Sequence, residues 1–168
     1  GVGKTEREIR QAIAAGIYAF NVESEPEFEN LSRLAAQVGR QVRAALRVNP
    51  DVYDPETHAY TATGKKESKF GVDIDRAVRF FETYGRDETV VLDGIHIHIG
   101  SPIYSPEPYV RAIRRSLELI DQLAAGGFEV RLFDLGGGFA ADYEEGSAPS
   151  AAEYAGQIVP LLADRDLE

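Results

Sequence analysis

Cysteine, methionine and tryptophan are all missing from this 168-residue chain, and each gap narrows what it can be. Without cysteine there is no disulfide framework, no thiolate nucleophile and no thiolate metal centre, so a reducing cytoplasm is the expected compartment. Long hydrophobic runs are missing too. No apolar stretch approaches the roughly 20 residues that cross a bilayer, and the opening Gly1-Val2-Gly3-Lys4 carries no signal-peptide core. Basic residues are few, 18 against 28 acidic, and the formal charge of -10 disfavours nucleic acid or an anionic membrane as partner. No repeat or low-complexity tract interrupts the chain. A sequence with no initiator methionine that opens on Gly-x-Gly-Lys-Thr is expected to have been cut from a longer protein.

What remains is patterned. Thr5-x-x-Glu8 is a capping box in front of Ile9, Ala12 and Ile13, and Gly16 supplies the stop. Ile17 to Val22 suits a buried strand, and Ser24-x-x-Glu27 opens a helix carrying Phe28, Leu31, Leu34 and Val38 up to Gly39. The alternation continues. Val42 to Val48 is the next strand, and Asp73 or Asp75 caps a helix with Ala77, Phe80, Phe81 and Tyr84 that Gly85 closes. Val90 to Ile99 is a third strand, Ser105-Pro106 begins a long helix stopped by Gly126-Gly127, and Val130 to Leu135 is a fourth. Ser150-x-x-Glu153 caps a last helix that Pro160 is expected to kink or end early. Asn49 to Gly71 has no periodicity, as befits a functional or mobile loop.

Strands separated by single helices need right-handed crossovers and a parallel sheet, so the fold class is α/β. Four strands are about half of a (β/α)₈ barrel, which takes about 250 residues. The expected architecture is therefore one domain over residues 1–168, part of a barrel, with a doubly wound open sheet as the other possibility.

Chemistry concentrates at two strand ends. In Gly94-Ile95-His96-Ile97-His98-Ile99-Gly100-Ser101 the isoleucines share one face and His96 and His98 share the other. In a barrel both histidines then point into the lumen at the C-terminal mouth, either as ligand contacts or as hydrogen-bonded filling of the core. The run Gly136-Gly137-Gly138 after Asp134-Leu135 permits positive φ and bares successive amides, which makes a nest for an anion such as phosphate, or simply a tight turn. Neither glycine segment is a P-loop, because no Gly-Lys-Ser or Gly-Lys-Thr stands at the required spacing.

With these residues in view, the chain resembles the diaminopimelate decarboxylases, members of the alanine-racemase-like barrel class of pyridoxal phosphate (PLP) enzymes. The resemblance rests on Gly3-Lys4-Thr5 with Glu8-Ile9, Phe20-Asn21-Val22-Glu23-Ser24, Ala45-Leu46-Arg47-Val48-Asn49-Pro50, Thr57-His58, Ser68-Lys69-Phe70-Gly71, the His96 and His98 strand and Leu135-Gly136-Gly137-Gly138. It implies PLP as cofactor, with the His98 ring stacked on the pyridine, Ser101 bonded to the phosphate, Gly136 to Gly138 and chiefly Gly138 cradling it, and Arg47 near the cofactor's edge; His96 is a further cofactor-binding candidate. It implies conversion of meso-diaminopimelate to lysine, a small amino-acid substrate, and a homodimer or association with the rest of the parent chain. It also implies what is not here. The lysine that links the cofactor lies on an earlier strand of the family, and Lys4, Lys65, Lys66 and Lys69 do not match it; the Glu-Pro-Gly-Arg segment and the C-terminal β domain come later. The isolated chain is accordingly expected to be inactive, with no catalytic residue and no metal ligand of its own. Pro102 stands where the family usually has glutamine.

Three alternatives stay open on the residues alone. Ornithine- and arginine-type decarboxylases share the His-x-Gly-Ser and Gly-Gly-Gly elements, a metal-dependent barrel hydrolase uses a His-x-His pair, and a non-catalytic piece can keep a phosphate nest.

Overall fold

A computed structural model describes residues 2–52, 70–141 and 148–168. Helix α1 (Glu6–Ala15) starts on the Thr5 and Glu8 capping box and ends at Gly16, whose φ of 67° places it in the left-handed region. Strand β1 (Phe20–Val22) leads into α2 (Glu25–Val38), capped by the Ser24 hydroxyl accepting from the Glu27 amide. Then follow β2 (Val42–Asn49), the two-residue β3 (Val72–Asp73), α3 (Ile74–Tyr84) capped by Asp73, and β4 (Val90–His96). Helix α4 (Glu107–Ala125), β5 (Leu132–Asp134) and α5 (Ala151–Leu162) complete the order, the last on a second full capping box at Ser150 and Glu153. Helix α5 runs two residues past Pro160, and the residue four before that proline is Gly156.

All pairings are parallel, and the sheet runs β1-β2-β4-β5 with β3 beside the end of β2. The order rises monotonically, so among the described strands every crossover steps the same way round, as in a barrel, and none reverses as a doubly wound sheet requires. The register builds rows across the sheet. Val22, Leu46, Ile95 and Phe133 form one buried row packed with the helices. Each fully buried Leu or Ile contributes about 1.5–3 kcal/mol through removal from water. Alternation sends Arg47, His96 and Asp134, which are direct register partners, to the opposite, concave face.

Curvature is visible in one contact. Asn21 on β1 donates to Asp134 Oδ2 on β5 at 2.9 Å, although β2 and β4 lie between them. Two small residues stand side by side where the sheet is crossed, Ala45 and Gly94, and a Cβ added to Gly94 would sit 2.6 Å from that of Ala45.

Several boundaries differ from the sequence expectation. β4 ends at His96 rather than Ile99, although the Ile97 amide still reaches the Asp134 carbonyl at 2.9 Å, because Gly100 turns the chain at φ 140°. β1 and β5 are three residues each, and α4 begins at Glu107, with the Ser105 hydroxyl accepting from its amide at 3.3 Å. β3 lies just past the aperiodic stretch and had no pattern to announce it.

Candidate functional site

The isoleucine alternation does as its period of two requires. Ile95, Ile97 and Ile99 are buried in the core, while His96 faces Asp134, with Nε2 3.9 Å from Oδ2, and His98 faces the glycine turn. Beside His96 on the concave face, the Arg47 guanidinium donates to Glu23 Oε2 at 3.1 Å in a buried ion pair and lies 5.3 Å from the centre of the Phe70 ring. Burial pushes the His96 imidazole down to about 4, with the Arg47 charge acting the same way against the pull of Asp134. His98 is lowered for the same two reasons, burial first. Both shifts favour the uncharged ring.

The glycine turn is packed against the loop after β4. Gly136 and Gly138 have φ of 70° and 98°, and a Cβ on either would meet a backbone oxygen: Ile97 O at 2.3 Å and Gly100 O at 1.9 Å. Ile103 donates to the Gly138 carbonyl at 2.8 Å and Ala140 to the Ile103 carbonyl at 3.1 Å, which ties the two loops together. That seam brings Ser101 beside Gly138, since the same hypothetical Cβ lies 3.4 Å from the Ser101 Cβ. The Ser101-Pro102 peptide bond is cis. From behind, the buried Tyr109 of α4 donates to the Gly137 carbonyl at 2.9 Å.

The three glycine amides are not equivalent. Gly136 donates to Asp134 Oδ1 at 2.8 Å and Gly137 to His98 Nδ1 at 3.3 Å, whereas the Gly138 amide has no partner among the described residues. An Nδ1 that accepts leaves the His98 proton on Nε2. Asp134 is thus the hub that composition and motif reading passed over. Burial alone would push its pKa up, yet the hydrogen bonds from Asn21 and Gly136 outweigh that and hold the carboxyl below its usual range. Glu23 and Asn49 also belong to the site and were passed over; the alternation of Phe20-Asn21-Val22-Glu23 and of Arg47-Val48-Asn49 was the signal that placed them inward.

Three buried polar atoms on this face lack a partner among the described residues: Arg47 Nε, Asn49 Oδ1 and His96 Nδ1. Native interiors leave few such atoms, so a group of three calls for a polar partner beyond the described residues. Lys4 is occupied by the Asn21 carbonyl at 2.7 Å and Glu27 at 2.6 Å. Thr57, His58, Lys65, Lys66, Ser68 and Lys69 lie outside the described residues. Among the described residues no three His, Asp or Glu side chains gather as a metal site, and no helix is long and apolar enough to cross a membrane.

Residues 1–166 match the family model described as pyridoxal-dependent decarboxylase, pyridoxal binding domain. The chain belongs to that family. It is 42% identical to a diaminopimelate decarboxylase of Pseudomonas aeruginosa over 99% of its own length and 40% of that protein's, and 42% identical to one of Aquifex aeolicus over 96% and 39%. In fold it is similar to the crystal structure of diaminopimelate decarboxylase from Helicobacter pylori complexed with L-lysine, with a TM-score of 0.91 and 35% identity over 99% of this chain and 42% of that one. The α/β architecture is therefore part of the PLP-binding barrel of these decarboxylases, and the chain spans about 40% of the length of the curated relatives it matches.

Proposed function

We propose that these residues form the cofactor-binding wall of a PLP-dependent diaminopimelate decarboxylase, which converts meso-diaminopimelate to lysine. The observation that carries the reading is the junction of Ser101, His98 and the Gly138 amide on one barrel mouth, beside three buried polar atoms that lack partners. The donor set fits the group: an amide and a hydroxyl suit a phosphate dianion, and a neutral imidazole suits the face of a pyridine ring.

When bound, PLP supplies an electron sink for the pair released as carbon dioxide departs. The chain's own residues do the holding. Gly138 N–H and the Ser101 hydroxyl bind the phosphate, and Gly136 and Gly137 shape the turn with their amides engaged inward. The His98 ring, fixed by the Gly137 N–H on Nδ1, lies against the pyridine face, and its Nε2 keeps the proton. Arg47, held by Glu23, places a positive charge at the cofactor's edge, and His96 lines the wall next to it. Their contribution is orientation and electrostatics rather than bond making. The linking lysine and the rest of the barrel come from outside these 168 residues, and the working protein is a cytoplasmic homodimer or an assembly of this barrel wall with the remainder of its chain.

The test uses the full-length protein with added PLP. Release of carbon dioxide from meso-diaminopimelate, at least tenfold faster than from ornithine or arginine, is the expected result. Preference for ornithine or arginine would move the substrate to the related decarboxylases, and no turnover with a bound cofactor would refute the activity.

A further inference from the structure

We propose that Asn21 and Asp134 form a strut across the concave face that sets the aim of the glycine turn, so that phosphate binding depends on a first-strand side chain that never touches the phosphate. The inference rests on the cofactor reading above and deepens it. Its basis is a carboxylate split between two tasks: Oδ2 accepts from Asn21 on β1 at 2.9 Å, and Oδ1 accepts from the Gly136 amide at 2.8 Å. Moving Asp134 to keep one bond loses the other.

This pair joins β1 by side chains to the strand that leads into the turn. Ala45 and Gly94 have no bulk to fill the span, so the pair of side chains closes it. Gly136 has φ 70° and is wedged on the Ile97 carbonyl, and its amide is where the carboxylate holds the start of the turn, ahead of the anchors at Gly137 and Gly138. Two residues on, the Gly138 amide is the one the turn presents outward. Asp134 also faces the His96 ring, with Nε2 3.9 Å from Oδ2.

Exchange of the two groups separates this role from general stability. In the full-length protein, Asn21→Asp sets two carboxylates against each other, whereas Asp134→Asn keeps an oxygen for Gly136 and lets the Asn21 amide flip to accept from the new amide. The double variant Asn21→Asp with Asp134→Asn restores a donor and an acceptor across the span and leaves an Asn oxygen for Gly136. Spectroscopic titration with PLP and with pyridoxal, which lacks the phosphate, reads the cradle without turnover. Asn21→Asp is expected to bind PLP about 10-fold more weakly, the size of a lost charge-assisted hydrogen bond, and Asp134→Asn within about 3-fold of the parent, with pyridoxal affinity unchanged in both. The double variant is expected within about 3-fold of the parent. Additive losses in the double variant, or equal losses for PLP and pyridoxal, would overturn the strut. Failure of the unaltered protein to bind PLP would instead overturn the cofactor reading. Should Asn21→Asp not fold, Asn21→Ala, which adds no charge, carries the same expectation, and an unchanged PLP affinity there also overturns it.

Discussion

Gly138→Ala and Gly137→Ala are neighbouring one-methyl changes with opposite expected outcomes. At Gly138 the new Cβ would lie 1.9 Å from the Gly100 carbonyl oxygen, and contacts under 3.0 Å essentially never occur, so one backbone must retreat by roughly 1 Å. That retreat stretches the 2.8 Å bond from Ile103 to the Gly138 carbonyl. The φ of 98° adds strain of about 1–3 kcal/mol for any residue with a Cβ. Together with one weakened backbone bond of about 1 kcal/mol, the loss comes to roughly 2–4 kcal/mol, or a turn that rearranges and no longer presents its amide. At Gly137 no described residue other than its chain neighbours comes within 4 Å of the added methyl, and the change should stay within about 0.5 kcal/mol. Chemical denaturation and PLP titration of the full-length protein measure both. A Gly138→Ala protein as stable and as tight for PLP as Gly137→Ala would show that the turn is not packed as described.

The His96 imidazole, held down to about 4, keeps its folded form unprotonated where the unfolded chain already takes a proton near 6.5. Stability should therefore fall as pH drops through that window, by roughly 1–3 kcal/mol, and His96→Gln should reduce the slope; an NMR midpoint for His96 near 6.5 would contradict it. Glu23→Ala strands the Arg47 charge, which is 10% exposed, and is expected to cost about 3–5 kcal/mol in a melting experiment, more than Glu23→Gln, which leaves an acceptor. Tyr109→Phe removes the hydroxyl that supports the Gly137 carbonyl and should destabilise by about 1–2 kcal/mol while leaving the substrate preference unchanged.

Much of this molecule is readable without coordinates because its signals are local. The Thr5 and Ser150 capping boxes fix two helix starts from four residues each, and the isoleucine alternation assigns a face to His96 and His98 over five. The glycine run and the His-x-Gly-Ser segment raised the expectation of an anion site, and the fold brings Ser101 and Gly138 together. Distance along the chain hid the rest. Asn21 and Asp134 are 113 residues apart and meet only because the sheet curls, which no short-range pattern encodes. The engagement of the Gly136 amide by Asp134 follows from a side chain two residues back, but whether that carboxylate turns toward the amide or away depends on Asn21. β3 is too short for any periodicity.

The most direct test is a crystal structure of the full-length protein with PLP. The phosphate should rest on the Gly138 amide and the Ser101 hydroxyl, with the His98 ring flat against the pyridine and Arg47 at its edge. A phosphate seated away from Gly138, or a pyridine ring that His98 does not face, would contradict the site proposed for this barrel wall.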